Sequence, residues 1–83
     1  MEKSGNPSVI NAALSPRIEL FSNSECCVEG IRSIIVYNSD CIKLDIGKIC
    51  VNFSGDDLYI TSFTSEGANI SGTIISVEFE SND

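Results

Sequence analysis

Cys41-Ile42-Lys43-Leu44-Asp45-Ile46-Gly47-Lys48-Ile49-Cys50-Val51-Asn52-Phe53-Ser54 alternates apolar and polar residues on both sides of a Gly-Lys pair. Successive side chains of a strand point to opposite faces, so a period of two marks a half-buried strand. A glycine at the first central position suits a two-residue type II′ hairpin turn. Closing the hairpin there sets Ile46 opposite Ile49, Leu44 opposite Val51 and Ile42 opposite Phe53, with all of these apolar side chains on one face. Lys43, Asp45, Cys50 and Asn52 fall on the other face. Cys41 then lies opposite Ser54 and Cys50 opposite Asp45. At ~3.3 Å per residue the two cysteines stand about 13 Å apart along the strands. A disulfide spans at most about 7 Å between Cα atoms, so this register forbids a Cys41-Cys50 bridge.

On both sides of this hairpin, short β-branched and aromatic runs are punctuated by Gly, Asn, Asp and Ser every 8 to 12 residues or so, which is the pattern of an all-β chain. The spacing predicts strands at Arg17 to Phe21, Glu25 to Glu29, Ser33 to Tyr37, Cys41 to Ile46, Lys48 to Ser54, Leu58 to Phe63, Ala68 to Ser71 and Thr73 to Glu80. No connection is long enough for a parallel crossover, so neighbouring strands should be antiparallel. In the last strand the alternation puts Ile75, Val77 and Phe79 on one face and Ile74, Ser76 and Glu78 on the other. The expected fold is a small antiparallel meander curled into a barrel-like or sandwich-like single domain over residues 16–83. A short β-solenoid is the alternative, prompted by Gly-x-x-Leu-x-Ile at Gly55 to Ile60 and Ile-x-Gly-x-Ile at Ile70 to Ile74. Residues 1–15 form an N-terminal segment, flexible or a short helix, in which Asn6-Pro7 supplies a cap and first helical position and Pro16 ends the run.

Composition narrows the function. An 83-residue chain should bury roughly 63% of its unfolded surface, a thin core for one small domain. Five basic against twelve acidic residues give a net charge of −7. A nucleic-acid binder needs clustered Lys and Arg, so no nucleic-acid partner is expected. There is no histidine and no tryptophan, which removes the usual general base and the commonest metal ligand. The first fourteen residues hold neither a signal-peptide core nor a membrane span, so a cytoplasmic protein without direct membrane insertion is expected. In that compartment Cys26, Cys27, Cys41 and Cys50 should be free thiols. They lack the spacing of a zinc site and behave as compact apolar residues.

The remaining polar candidates have ordinary explanations beside the chemical ones. Asp56-Asp57 after Ser54-Gly55 offers two carboxylates to a hard cation or a small ligand at the mouth of a barrel, yet these are also the residues that turns select. Cys26-Cys27, flanked by Glu25 and Glu29, has no base to activate it, and neighbouring carboxylates raise a thiol pKa. Arg17 and Arg32 read as solubilising charges and Tyr37 and Tyr59 as strand packing. No catalytic, cofactor-binding or metal-binding residue is assigned.

From Pro16 onward, the chain resembles the YabP/YqfC family of sporulation proteins. The resemblance is carried by Pro16-Arg17-Ile18-Glu19-Leu20, Cys27-Val28-Glu29-Gly30, Ile34 to Tyr37 and Ile42-Lys43-Leu44-Asp45. It continues through Val51-Asn52-Phe53-Ser54-Gly55, Leu58-Tyr59-Ile60, Ile70-Ser71-Gly72-Thr73-Ile74 and Ile75 to Phe79. It covers about four-fifths of the chain and rests on the order and spacing of these pieces. It implies a non-enzymatic protein of endospore formation, acting in the mother cell or the developing spore and connected with coat or envelope assembly. It brings no catalytic residues and no cofactor. The expected partners are other sporulation proteins or a second copy of the chain, engaged through an exposed strand edge or the Ile74 side of the last strand. A small-ligand or metal-binding β module is the alternative function.

Overall fold

Apolar residues at alternate positions and turn residues between them give six strands: β1 (Arg17–Phe21), β2 (Glu25–Glu29), β3 (Ser33–Asn38), β4 (Cys41–Asp45), β5 (Ile49–Phe63) and β6 (Gly67–Ser81). The computed structural model describes residues 16–82. The N-terminal segment 1–15, with the short helix expected from Pro7, lies outside the described residues. All strand pairings are antiparallel, in one sheet of order β1-β2-β6-β5-β4-β3 that does not close into a barrel. Strands β3 to β6 form a meander. The β1-β2 hairpin joins it at β6, a partner far away in sequence. Antiparallel pairing throughout rules out the coils of a solenoid.

The hairpin read from Gly47-Lys48 is present in the expected register, with Ile42 opposite Phe53, Leu44 opposite Val51, Cys41 opposite Ser54 and Asp45 opposite Cys50. Ile46 donates its N–H to the Ile49 carbonyl at 3.0 Å, and Gly47 has the positive φ of 115° that the turn requires. Asn82 clamps this turn. Its Nδ2 donates to Asp45 Oδ1 at 2.8 Å and to the Gly47 carbonyl at 2.9 Å, while its own amide donates to the Lys48 carbonyl at 3.0 Å.

Two expected strand breaks are absent. The strands expected at Lys48–Ser54 and Leu58–Phe63 join in one strand, β5, which starts at Ile49, and those expected at Ala68–Ser71 and Thr73–Glu80 join in one strand, β6. The turn-forming residues between them make bulges. The register of β5 on β6 shifts between Ser54 and Gly55 and again between Asp56 and Tyr59. Gly72 (φ 126°) and Asp57 (φ 54°) take up the distortion. A Cβ on Gly72 would sit 2.5 Å from the Asp57 carbonyl oxygen, and one on Gly55 would overlap the Thr73 carbonyl, so the two strands touch backbone to backbone where they bend.

The bend divides the sheet into two similar halves. In one, β2 pairs with the first half of β6; in the other, β4 pairs with the first half of β5. The turn of each flanking hairpin covers the bend of its strand. Asn23 and Ser24 accept from the N–H groups of Ile74 and Gly72, as Ser39 and Asp40 accept from those of Leu58 and Gly55. The two Gly-containing motifs that hinted at a solenoid are thus the two sides of one bend. The core joins the halves: Cys26, Val28 and Ile70 come from one, Ile42, Leu44, Val51 and Phe53 from the other, and Leu58 and Ile74 lie at the bend between them. With the largest of these fully buried, hydrophobic burial is the main force keeping the sheet folded over.

Candidate interaction site

Beyond the bend each long strand leaves its flanking hairpin and becomes an edge. From Ser76 to Ser81, β6 pairs with β5 on one side, while β2 pairs only with Glu25 to Glu29 opposite Gly67 to Ser71. The direction of the backbone groups follows from the ladder. Ile46 bonds to Ile49, so Ile49, Val51 and Phe53 direct their polar groups to β4, and Cys50, Asn52 and Ser54 direct theirs to β6. The Asn82-Lys48 bond has the same parity. Glu78, opposite Asn52, and Glu80, opposite Cys50, therefore bond to β5, whereas Val77 and Phe79 turn N–H and C=O outward. Among the described residues nothing pairs with these groups.

The side chains along this edge alternate. Val77 faces Phe53 on the core side and packs against the core, and Phe79 follows it on the same side with 59% of its surface exposed. Glu78 and Glu80 stand on the opposite face. Glu80 accepts from Lys43 Nζ at 2.8 Å, and that hydrogen bond, with the charge of the carboxylate, raises the lysine pKa. The edge begins at Ile75, which is 68% exposed.

Here the expected faces need correction. Ile74 is buried in the core, so its side of the strand is not free for a partner. Ser54 pairs with Ser76 and Gly55 with Ile74, leaving Ile75 as the extra, bulged residue. An extra residue reverses the alternation, so Ile74 and Val77 share the core side and Ile75 is turned out. The adjacent pair Ile74-Ile75, two residues after Gly72, is the sequence signal for this bulge.

Of the other edges, the end strand β1 is a regular five-residue strand paired only with β2, and the remaining two are interrupted. β3 is bulged between Ile34 and Val36. In the second half of β5, the Tyr37 hydroxyl accepts from the Ile60 N–H at 2.9 Å, and Ser39 accepts from that of Leu58. Another register shift follows between Ile60 and Ser62. Tyr37 is thus half packing and half polar strap between the two halves of the sheet. Tyr59 lies opposite Ser71 on the outer side, half exposed.

Asp56 and Asp57 are both exposed at the bend, where the positive φ of Asp57 belongs to the bulge. Aspartate is one of the few residues that tolerate this conformation, and turn chemistry accounts for the pair. Among the described residues, no group of three or more Cys, Asp and Glu side chains is placed to hold a metal ion. All four cysteines are free thiols. Burial, reinforced by Cys27, pushes the Cys26 thiol up to about 11. Desolvation, rather than the flanking glutamates, is therefore the main cause of the raised value, which favours the protonated thiol. Cys41 and Cys50 donate to Asn52 Oδ1 and Asn82 Oδ1. Arg17 contacts Glu19 at 3.4 Å on the surface, and Arg32 lines a groove of about 400 Å³ with Pro16, Ile46 and Ile49. No helix among the described residues is long and apolar enough to cross a membrane.

A bent, open, six-stranded antiparallel sheet among the described residues defines a small, single-domain, all-β protein. Residues 13–83 match the YabP family, and the chain belongs to that family, a group of sporulation proteins. No match was found among curated proteins or among solved structures.

Proposed function

We propose that the protein is a non-enzymatic assembly or interaction factor in endospore formation, serving coat or envelope construction from the cytoplasm of the mother cell or the developing spore. Membership of the YabP family is the observation that carries the sporulation role. The open β6 edge supports the interaction role, because unpaired strand backbone and exposed apolar side chains are the means by which sheets add a strand from another protein. The expected partner is a sporulation protein.

Deleting the gene in its native host tests this reading. Vegetative growth should be unchanged while the count of heat-resistant spores collapses, and the wild-type gene supplied elsewhere should restore it. An unchanged spore count, in a host carrying no second member of the family, would overturn the role in sporulation.

A further inference from the structure

We propose that the β6 edge from Ser76 to Glu80 takes up an extended segment of a partner protein in which apolar residues alternate with lysine or arginine. The inference rests on reading the protein as an interaction factor and names what it binds. Three features of the edge select that chemistry. Val77 and Phe79 present N–H and C=O groups outward in an unbroken stretch of ladder, which is the template an added strand needs. An incoming strand would place its alternate side chains beside Val77 and Phe79 on the core side, where apolar groups cover the exposed Phe79 ring. Its intervening side chains would stand on the outer face beside Glu78, whose carboxylate a cation complements, and beside Glu80, which already accepts from Lys43. The net charge of −7 adds a long-range attraction for a basic partner.

A second copy of the chain is the poorer occupant. The Asn23–Ser24 turn covers β6 up to Ile74, so a copy would pair beyond that point. Antiparallel self-pairing with outward groups facing each other, over four or more of residues Ser76 to Glu80, puts Glu78 opposite Glu78 of the copy. Like charges directly opposite each other destabilise a strand pair.

The test uses the full-length, isotope-labelled chain and three synthetic peptides: alternating Val and Lys, alternating Val and Glu, and a peptide with the composition of the first but its Val and Lys in separate blocks. The Val/Lys peptide should shift the Val77 and Phe79 amide signals most and slow their hydrogen exchange, while the block peptide binds at least tenfold more weakly. Phe79→Pro removes an N–H that points away from β5 and should weaken binding at least tenfold. Glu78→Lys should do the same and admit the Val/Glu peptide instead. Should the proline variant not fold, the lysine variant decides. Equal binding of the block peptide, signal changes centred elsewhere, or undiminished binding by folded Glu78→Lys would overturn the proposal. Spores separate it from the broader reading. If deletion abolishes spores and folded Glu78→Lys restores them fully, the edge assignment fails and the sporulation role stands.

Discussion

Replacing Gly72 and Gly47 by alanine in parallel separates backbone strain from crowding at the bend. Both glycines have positive φ, 126° and 115°, a region that costs a residue with a β-carbon about 1–3 kcal/mol. Their surroundings differ. At Gly47 the nearest atom to an added Cβ is Arg32 Nε at 4.0 Å, so strain is the whole cost. At Gly72 the Cβ would lie 2.5 Å from the Asp57 carbonyl oxygen and 2.9 Å from Leu58 Cα, both backbone atoms that must move. Moving them loosens Leu58, which is 3% exposed and whose full burial is worth about 1.5–3 kcal/mol. It also disturbs the hydrogen bond from the Gly72 N–H to Ser24, worth about 1 kcal/mol. Gly72→Ala should thus cost about 3 kcal/mol more than Gly47→Ala. An 83-residue chain has only ~4–12 kcal/mol in total. Urea unfolding followed by circular dichroism, with a common slope for the variants, reads the difference as a shift in midpoint. Equal midpoints, or a larger loss at Gly47, would refute the backbone contact at the bend.

Four smaller tests address individual contacts. Alkylation of the native protein near pH 8 should add quickly to the half-buried Cys27 and Cys41 and slowly to Cys26 and Cys50, with all four reacting in urea, as mass spectrometry would show. Because the Cys26 thiol ionises near 11 when folded against an ordinary value of 9.0, the unfolded chain sheds that proton first, and its contribution to stability falls as pH rises from 9 to 11; a urea midpoint that rises over this range would contradict the assignment. Asn82→Ala removes the side-chain clamp on Asp45 and Gly47 and should cost about 1–2 kcal/mol in the same unfolding assay. Tyr37→Phe leaves the Ile60 N–H without its acceptor and should cost about 1 kcal/mol, with faster exchange of that one amide.

What the sequence discloses about this fold is local. The period of two in Ile42 to Phe53 and the Gly47-Lys48 turn suffice to place the β4-β5 register residue by residue, because a one-residue slip would turn every apolar side chain outward. The bend was not legible in the same way. Ser54-Gly55-Asp56-Asp57 and Ser71-Gly72 have the composition of turns, and composition does not distinguish a chain reversal from a bulge that lets a strand continue. The difference is made by Asn23, Ser24, Ser39 and Asp40, whose carbonyls take the N–H groups at the bend from far away in sequence. The pairing of Cys26 with Ile70 is likewise set by burial across the folded sheet, and no local pattern announces it. The candidate site inherits both limits. An exposed edge was expected on general grounds, but its position depends on where β2 lets go of β6, and its apolar residues depend on the reversal at Ile75.

Residue-resolved amide hydrogen exchange along Gly72 to Glu80 tests the whole arrangement most directly. Gly72 and Ile74 should be protected by the β1-β2 turn, and Glu78 and Glu80 by β5, while Val77 and Phe79 between them exchange at rates close to those of an unstructured chain. Uniform protection from Ser76 to Glu80 would mean that the edge is already covered and would contradict the account. The predicted result is alternating protection, with fast exchange at Val77 and Phe79.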